Sequence, residues 1–159
     1  SMIHSAQQSV VIMTPYLVPT QAMALAIEGA ARRGIKVSVL VPGRSDSPVT
    51  WFAGRSWFRY FLAAGVNVYE NSEQFVHAKI VTVDETFALV GSANMDARSF
   101  QINFENSLLI YGKEGTLPCR EMLDAVEARS KAIRLEDVLR QPYYKKLAEG
   151  ICRLMSPLL

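Results

Sequence analysis

Residues 77–94 read HAKIVTVDETFALVGSAN. Within and around this stretch, two runs rich in β-branched and aromatic residues, 75–83 and 86–90, are joined by the turn residues Asp84 and Glu85. Such runs on either side of a short polar turn predict two strands that pair antiparallel. The second half of the chain is therefore expected to contain a hairpin, which continues into a loop at residues 91–94.

His77 and Lys79 are predicted to lie on one face of the first strand, because alternate residues of a strand share a face. That face also carries Phe75, Val81 and Val83. A histidine and a lysine on a largely apolar face are costly to bury unpaired, and a bound anion is one reason to place them there. Lys79 would neutralise phosphate oxygens while His77 contacts phosphorus. Asp84 has the opposite parity, so we expect it to hold the turn or to pair with a cation elsewhere.

The loop after the hairpin supplies short hydrogen-bonding side chains. Gly91 is expected to give backbone freedom directly after the strand. The Ser92 hydroxyl and the Asn94 amide are short groups that can reach a phosphate oxygen. Glu105 falls in a predicted strand over 103–111, and its carboxylate is a candidate to hold the Nδ1 proton of a histidine and so fix the imidazole tautomer.

The remaining patterns predict an α/β fold. Buried strands and helices alternate in the first half, which implies right-handed crossovers and helices on both faces of a sheet. The predicted strands of this half are 10–13, 36–41 and 66–69, and its helices are one that Thr20 caps and one over 51–64. The later helices are predicted at 116–133, 135–140 and 142–155. We expect an α-β-α sandwich with a mixed, mostly parallel sheet, formed by residues 1–159 as a single domain.

Composition limits the possible functions. The chain has 159 residues, 17 Lys+Arg and 15 Asp+Glu, for a net charge of +2. So weak a positive charge gives no reason to expect a nucleic-acid partner. Cys119 and Cys152 lack the paired spacing of a metal site, and no metal ligand set is predicted. The most apolar stretch, residues 10–19, is shorter than the roughly 18 residues that a membrane span requires.

The joint pattern His-x-Lys-x4-Asp-x6-Gly-Ser-x-Asn, formed by residues 77–94, resembles the signature of the phospholipase D superfamily, the HKD motif and its extension. Glu105 matches by position the carboxylate that supports the histidine in that family. Further segments are similar to bacterial cardiolipin synthases. These segments are 14–19, 30–37, 41–46, 63–66, 91–100, 103–105 and 153–159.

The resemblance implies a phosphatidyl transfer in two steps that needs no metal and no cofactor. One histidine attacks a phosphodiester and forms a phosphohistidine, and an opposing histidine protonates the departing alcohol. Two phosphatidylglycerol molecules would yield cardiolipin and glycerol, whereas water as acceptor would make a lipase. His77 is expected to be one of the two histidines, with either role open. Arg98, close in sequence to Asn94, is a candidate to bind a substrate phosphate.

This chain carries one HKD motif where the resembled family uses two. We therefore expect it to be the second, C-terminal half of a longer protein, completed by another half in cis or by a homodimer partner across a two-fold axis. The resemblance implies a phospholipid substrate and the bacterial cytoplasmic membrane, reached peripherally or through an anchor absent from this chain. Two other functions stay open: a phospholipase D or nuclease-type phosphodiesterase acting as a homodimer, and a non-catalytic half that completes another site.

The last predicted helix is amphipathic and lies in a basic region. Residues 129–159 contain seven Lys+Arg against three Asp+Glu. Two interpretations of this helix stay open. It docks on its own domain and leaves a basic face in water, or it contacts an anionic membrane surface. The apolar stripe of the helix consists of Tyr143, Leu147, Ile151 and Leu154.

Overall fold

The computed structural model describes residues 2–73 and 76–155. Helices and strands alternate along the first half of the chain, and antiparallel strands dominate the second. The strands are β1 (Ser9–Met13), β2 (Leu17–Val18), β3 (Lys36–Pro42), β4 (Asn67–Asn71), β5 (Ile80–Val83), β6 (Phe87–Gly91), β7 (Met95–Asp96), β8 (Ser107–Tyr111) and β9 (Lys131–Ala132). The helices are α1 (Met2–Ser5), α2 (Gln21–Arg32), α3 (Pro48–Arg55), α4 (Phe58–Ala63), α5 (Ala97–Gln101), α6 (Lys113–Ala128), α7 (Leu135–Leu139) and α8 (Tyr143–Leu154).

Seven strands form one mixed sheet in the order β8-β6-β5-β1-β3-β4-β9, and β2 pairs with β7 in a small parallel ladder. The predicted mixed sheet is confirmed, but the expectation that it is mostly parallel is wrong. Within the seven-stranded sheet only β1–β3 and β3–β4 are parallel, and the other four neighbouring pairs are antiparallel. Helical crossovers make β1, β3 and β4 parallel, whereas β5 starts at the edge where β4 ends and must run back.

The sheet separates two apolar layers, as an α-β-α sandwich requires. Val10 and Ile12 of β1 pack into the cluster that contains α2 and α4, while Val11 and Met13 pack into the cluster around Leu123 of α6. The same alternation continues in β3, because Val39 lies in the first cluster and Leu40 in the second. The strand therefore buries both faces, and the predicted sandwich is confirmed.

The helix predicted over 116–133 is wrong at its end, because α6 stops at Ala128 and residues 131–132 form β9, which pairs with β4. Two further predicted elements differ from the observed ones for local reasons. The helix predicted over 51–64 is two helices, α3 and α4, and a Cβ atom at Gly54 would lie 3.3 Å from the Leu17 carbonyl oxygen. Glycine there lets α3 approach the backbone of β2. The strand predicted over 103–111 begins only at Ser107, because the preceding backbone pairs with Ser92 in a loop of the candidate site.

The helix α8 is present where it was predicted, but its orientation is unexpected. Its predicted apolar stripe faces solvent, and its one buried residue is Glu149. Among the described residues, no helix combines the length and the hydropathy that crossing a bilayer demands.

Candidate active site

The candidate site lies at the edge of the sheet where the parallel strands β1, β3 and β4 end. Tyr16 follows β1, Asp46 follows β3 and His77 follows β4, while Lys79 directly precedes β5. The carboxyl ends of parallel strands are the usual place for ligand sites in α/β sheets, because the loops that follow them converge there. Three loops that are distant in sequence thus meet at one edge.

His77 is exposed, and its ring forms a T-shaped pair with the Tyr16 ring, with centroids 5.9 Å apart and planes at 81°. Residues 76–79 are not part of the strand, so the predicted strand begins later than expected. The predicted alternation is nevertheless confirmed on both sides of the sheet. Val81 and Val83 pack into one core cluster, and Ala78 and Ile80 pack into the other. Phe75, assigned to the His77 face, lies outside the described residues.

Lys79 is half-buried, and its ammonium donates a hydrogen bond of 3.0 Å to the carbonyl oxygen of His77. Burial lowers the pKa of Lys79, and the carboxylates of Glu105, Asp46 and Asp96 oppose this shift. The negative charges of these three carboxylates therefore act on Lys79 and favour its charged form.

Ser92 and Glu105 form the second part of the site. The Ser92 hydroxyl donates to Glu105 Oε2 and accepts a 3.0 Å hydrogen bond from the backbone N–H of Asn106. Asn103 donates to the other carboxylate oxygen of Glu105 at 3.2 Å. The hydrogen bonds from Ser92 and Asn103 hold the pKa of Glu105 below its usual value, so this carboxyl stays ionised at neutral pH. Glu105 therefore combines a fixed position with a negative charge beside Lys79.

Asn94 is held by the short helix α5. Its backbone N–H donates to the Ser99 hydroxyl at 3.1 Å, and the Ser99 N–H donates to the capping carboxylate of Asp96 at 2.6 Å. The side-chain oxygen of Asn94 is buried and has no hydrogen-bond partner among the described residues. A buried amide oxygen without a partner can accept a hydrogen bond from a substrate hydroxyl or from a donor group of another subunit.

Gly91 is required for a close approach rather than for backbone freedom. The structure gives it no positive φ, in contrast to the expectation from its position. A Cβ atom at Gly91 would lie 2.5 Å from the Asn106 carbonyl oxygen and 2.9 Å from Ser107 Cα. The absent side chain lets β8 lie against the end of β6, and this contact brings Glu105 to Ser92.

Asp84 lies away from the site, as its parity predicted. Its carboxylate accepts three backbone hydrogen bonds, from Gln7 at 3.0 Å and from Gln8 and Ser9 at 2.8 Å each. Burial would raise the pKa of Asp84, but the three N–H donors together keep it below its usual value. The residue adopts a φ of 52°, in the left-handed region. It therefore fastens the β5–β6 turn to the start of β1.

Arg98 is exposed in α5, and within residues 2–73 and 76–155 its guanidinium makes no hydrogen bond or ion pair. The structure thus neither directs it to Lys79 nor ties it to another group. In the same described ranges, no three His, Cys, Asp or Glu side chains cluster closely enough to hold a metal ion.

Tyr16 and Asp46 were not singled out by the sequence reasoning, although both lie in segments that carried the family resemblance. The Tyr16 hydroxyl donates to Asp46 Oδ1 at 2.5 Å. Burial, followed by the hydrogen bond to Asp46, raises the pKa of Tyr16 to about 12. Thr14 positions the tyrosine, because its hydroxyl donates to the Tyr16 carbonyl oxygen and accepts from the Met95 N–H. Tyr16 and Asp46 each follow a predicted parallel strand, and this position in the sequence could have identified them as site residues.

The Tyr16→Phe variant is expected to raise the pKa of Asp46 toward its usual value. The hydrogen bond from Tyr16 is the largest cause of the low pKa of Asp46, and phenylalanine removes it while keeping the ring beside His77. The measurement is a carbon-13 NMR titration of the Asp46 carboxyl. Tyr143→Phe, which changes an exposed ring on α8, is the matched control. An unchanged Asp46 titration in Tyr16→Phe would show that the pair does not form in solution.

Solved structures share this fold. One is Nuc from Salmonella typhimurium, a phospholipase D family member, with a TM-score of 0.73 and 21% identity over 84% of this chain and 86% of that chain. Another is phosphatidylserine synthase from Haemophilus influenzae, with a TM-score of 0.76 and 18% identity over 99% of this chain and 41% of that one. At such identities the likeness establishes the fold alone.

Sequence comparison identifies the family. Residues 1–127 match the family described as "Cardiolipin synthase, PLD-like domain". The chain is 41% identical over its full length to a cardiolipin synthase of Halalkalibacterium halodurans, and 35% identical over 99% of its length to cardiolipin synthase 1 of Staphylococcus epidermidis. The chain belongs to the cardiolipin synthase, PLD-like domain family, as the HKD resemblance predicted. It spans 32% of the length of each of these two relatives.

Proposed function

We propose that this chain supplies one half of a phosphatidyl-transfer site that makes cardiolipin and glycerol from two phosphatidylglycerol molecules. The observation that carries the proposal is the meeting of His77, Lys79 and the Ser92–Glu105 pair at one open edge of the sheet. The similarity to cardiolipin synthases over the full chain supports the choice of a phospholipid substrate. In this proposal the chain is a single PLD-like domain and the C-terminal half of a two-motif enzyme.

The proposed reaction has two displacements at phosphorus. One imidazole attacks the phosphodiester, a nitrogen–phosphorus bond forms, and the bond from phosphorus to the glycerol headgroup oxygen breaks. The opposing histidine gives its proton to the departing oxygen. A hydroxyl of the second phosphatidylglycerol then attacks phosphorus, the nitrogen–phosphorus bond breaks, and the second histidine takes up the hydroxyl proton. His77 is one of the two histidines.

Each neighbouring side chain has a role that its chemistry supports. Lys79 neutralises the phosphate oxygens. The N–H groups of the Asn94 amide and, once it turns from Glu105, the Ser92 hydroxyl donate to them as charge builds on the crowded phosphorus. Glu105 orients an imidazole of the pair, and its low pKa keeps it in the charged form that this role needs. Arg98, free of ion pairs among the described residues, binds a second phosphate.

This chain exposes an apolar surface that a second half of the site would cover. Phe100, Ile102, Phe104 and Leu108 are all exposed, and they lie in and around the segments that carry Asn94 and Glu105. Burial of such side chains by another HKD half would stabilise the complex by about 25 cal/mol per Å² of apolar surface. The other half comes from the same polypeptide or from a homodimer partner. We assign the complete enzyme to the bacterial cytoplasmic membrane, where its lipid substrate resides.

The test is a parallel assay of phosphatidylglycerol, phosphatidylcholine and plasmid DNA. It uses the chain at concentrations where gel filtration detects a dimer, and a longer polypeptide with a second His-x-Lys motif. We expect phosphatidylglycerol to give cardiolipin and glycerol in equal amounts, with DNA intact. Phosphatidic acid as sole product would mean that water is the acceptor, and would contradict cardiolipin synthesis. Conversion of DNA alone, or a second half that is active without His77, would also reject the proposal.

A further inference from the structure

The helix α8 is amphipathic, but it packs on the protein through its polar side. Tyr143, Leu147, Ile151 and Leu154 share one face of the helix because they are spaced by three or four residues. These four side chains are 79%, 52%, 53% and 82% exposed, respectively. An apolar face that packed on its own domain would be largely buried, so this one has no cover among the described residues.

Ionic contacts hold the polar side of α8 against the domain. Glu149 is buried, and its carboxylate lies 3.9 Å from Nε of Arg55, whose guanidinium also pairs with Glu70. Arg153 places its guanidinium 4.1 Å from the centroid of the Trp57 ring. These contacts fix the rotation of the helix about its axis. The packing of α8 on the domain therefore turns its apolar face outward.

The charges left on the outer surface of α8 are all positive. Glu149 is the only acidic residue of the helix, and it is turned inward. Lys146 is exposed three residues from Tyr143 and Arg140 is exposed just before the helix, whereas Lys145 and Arg153, each four residues from Glu149, lie on the Glu149 side of the helix. An apolar stripe with tyrosines at one end and cations beside it matches the layered chemistry of an anionic bilayer surface.

We propose that α8 is a docking surface for an anionic lipid bilayer. The helix lies in the headgroup region with Leu147, Ile151 and Leu154 at the acyl boundary, and Lys146 and Arg140 near the lipid phosphates. Because α8 is tied to α3, which starts just after the loop that carries Asp46, docking brings this side of the candidate site near the lipid headgroups. The surface is separate from the residues that carry phosphatidyl transfer.

The test is vesicle flotation of the 159-residue chain without any measurement of turnover. Vesicles contain either phosphatidylcholine alone or an equal mixture of phosphatidylcholine and phosphatidylglycerol. We expect the chain to float with the mixed vesicles. Ile151→Glu should weaken this binding about tenfold, because it removes the burial of one aliphatic side chain and adds a negative charge. Leu25→Glu, which changes an equally exposed leucine of α2, is the matched control and should bind as the unchanged chain does.

A second variant tests the electrostatic part of the interaction. Lys146→Gln combined with Arg140→Gln should reduce binding to the mixed vesicles about thirtyfold, since each basic residue near an anionic surface contributes roughly 1 kcal/mol. Circular dichroism and urea unfolding check that each variant keeps its fold. Vesicle binding is independent of turnover, so this proposal can fail while the proposed function holds, and the reverse.

Two results would overturn the membrane proposal. One is equal flotation of the unchanged chain and Ile151→Glu, including the case in which neither floats. The other is a change of oligomeric state in Ile151→Glu by gel filtration without any change in vesicle binding. That result would mean that a second copy of the chain covers the apolar face.

Discussion

The His77→Ala variant is expected to lose phosphatidyl transfer by about three orders of magnitude or more. In the proposed reaction His77 either forms the bond to phosphorus or moves the proton of the reacting alcohol, and alanine can do neither. The chain has only one other histidine, His4. The His4 carbonyl accepts a hydrogen bond from Arg33, beyond the end of α2, so His4 belongs to the opposite edge of the sheet.

The measurement is cardiolipin formation from phosphatidylglycerol. It uses the dimeric chain if that form is active, and otherwise the longer polypeptide with a second His-x-Lys motif. His4→Ala is the matched control, because it removes the same imidazole at a place remote from the site, and it should keep full activity. Rapid quenching with radiolabelled substrate then tests for a covalent intermediate that is stable to alkali and labile to acid. Normal cardiolipin formation by His77→Ala would exclude His77 from the chemistry and with it the proposed active site.

The Asp84→Ala variant is expected to lower the free energy of unfolding by about 2–4 kcal/mol. Three backbone N–H groups, those of residues 7–9, would lose a charged acceptor, and each such hydrogen bond is individually worth about 1.5–3 kcal/mol before water replaces part of it. Alanine also tolerates the φ of 52° less well than aspartate does. The measurement is urea unfolding at neutral pH. Asp124→Asn is the control, because it neutralises an exposed carboxylate whose pair with Arg120 is expected to be worth about 0.5 kcal/mol or less.

The contribution of Asp84 should also depend on pH in a defined direction. Its pKa is lower in the folded protein than the ordinary value of 3.8, so folding favours the charged form. The stabilisation is therefore complete above about pH 5 and is lost as the pH falls below about 4, through the pKa of the folded state. The difference in unfolding free energy between the unchanged chain and Asp84→Asn should shrink over that acid range. A difference that grew in acid would contradict the assigned role.

Local patterns were sufficient for much of this architecture. The uninterrupted apolar run of Val10, Val11, Ile12 and Met13 predicts a strand buried on both faces, and the two core clusters confirm it. The spacing of Asp84 from Lys79 predicted that the aspartate lies away from the site, and its contacts with residues 7–9 agree. Such predictions succeed because the period of two in a strand is a property of the backbone and needs no knowledge of distant partners.

Predictions failed where long-range packing decides the outcome. The direction of β5 depends on the edge at which the chain leaves β4, so hydrophobicity alone did not reveal that most neighbouring strands are antiparallel. Gly91 is a second example. Glycine is required there because Ser107 approaches closely, and not because of the φ of residue 91. The contact of Tyr16 with His77 joins two residues that are 61 positions apart and needs the assembled sheet.

The sequence by itself determined the HKD signature, the family that this signature indicates, and the amphipathic character of α8. It could do so because motif spacing and hydrophobic period are written in neighbouring residues. Only the tertiary structure decided which loops meet beside His77 and which side of α8 faces water. Both depend on pairs formed across the fold, such as Tyr16 with Asp46 and Arg55 with Glu149, where a buried charge requires a partner that no local pattern specifies.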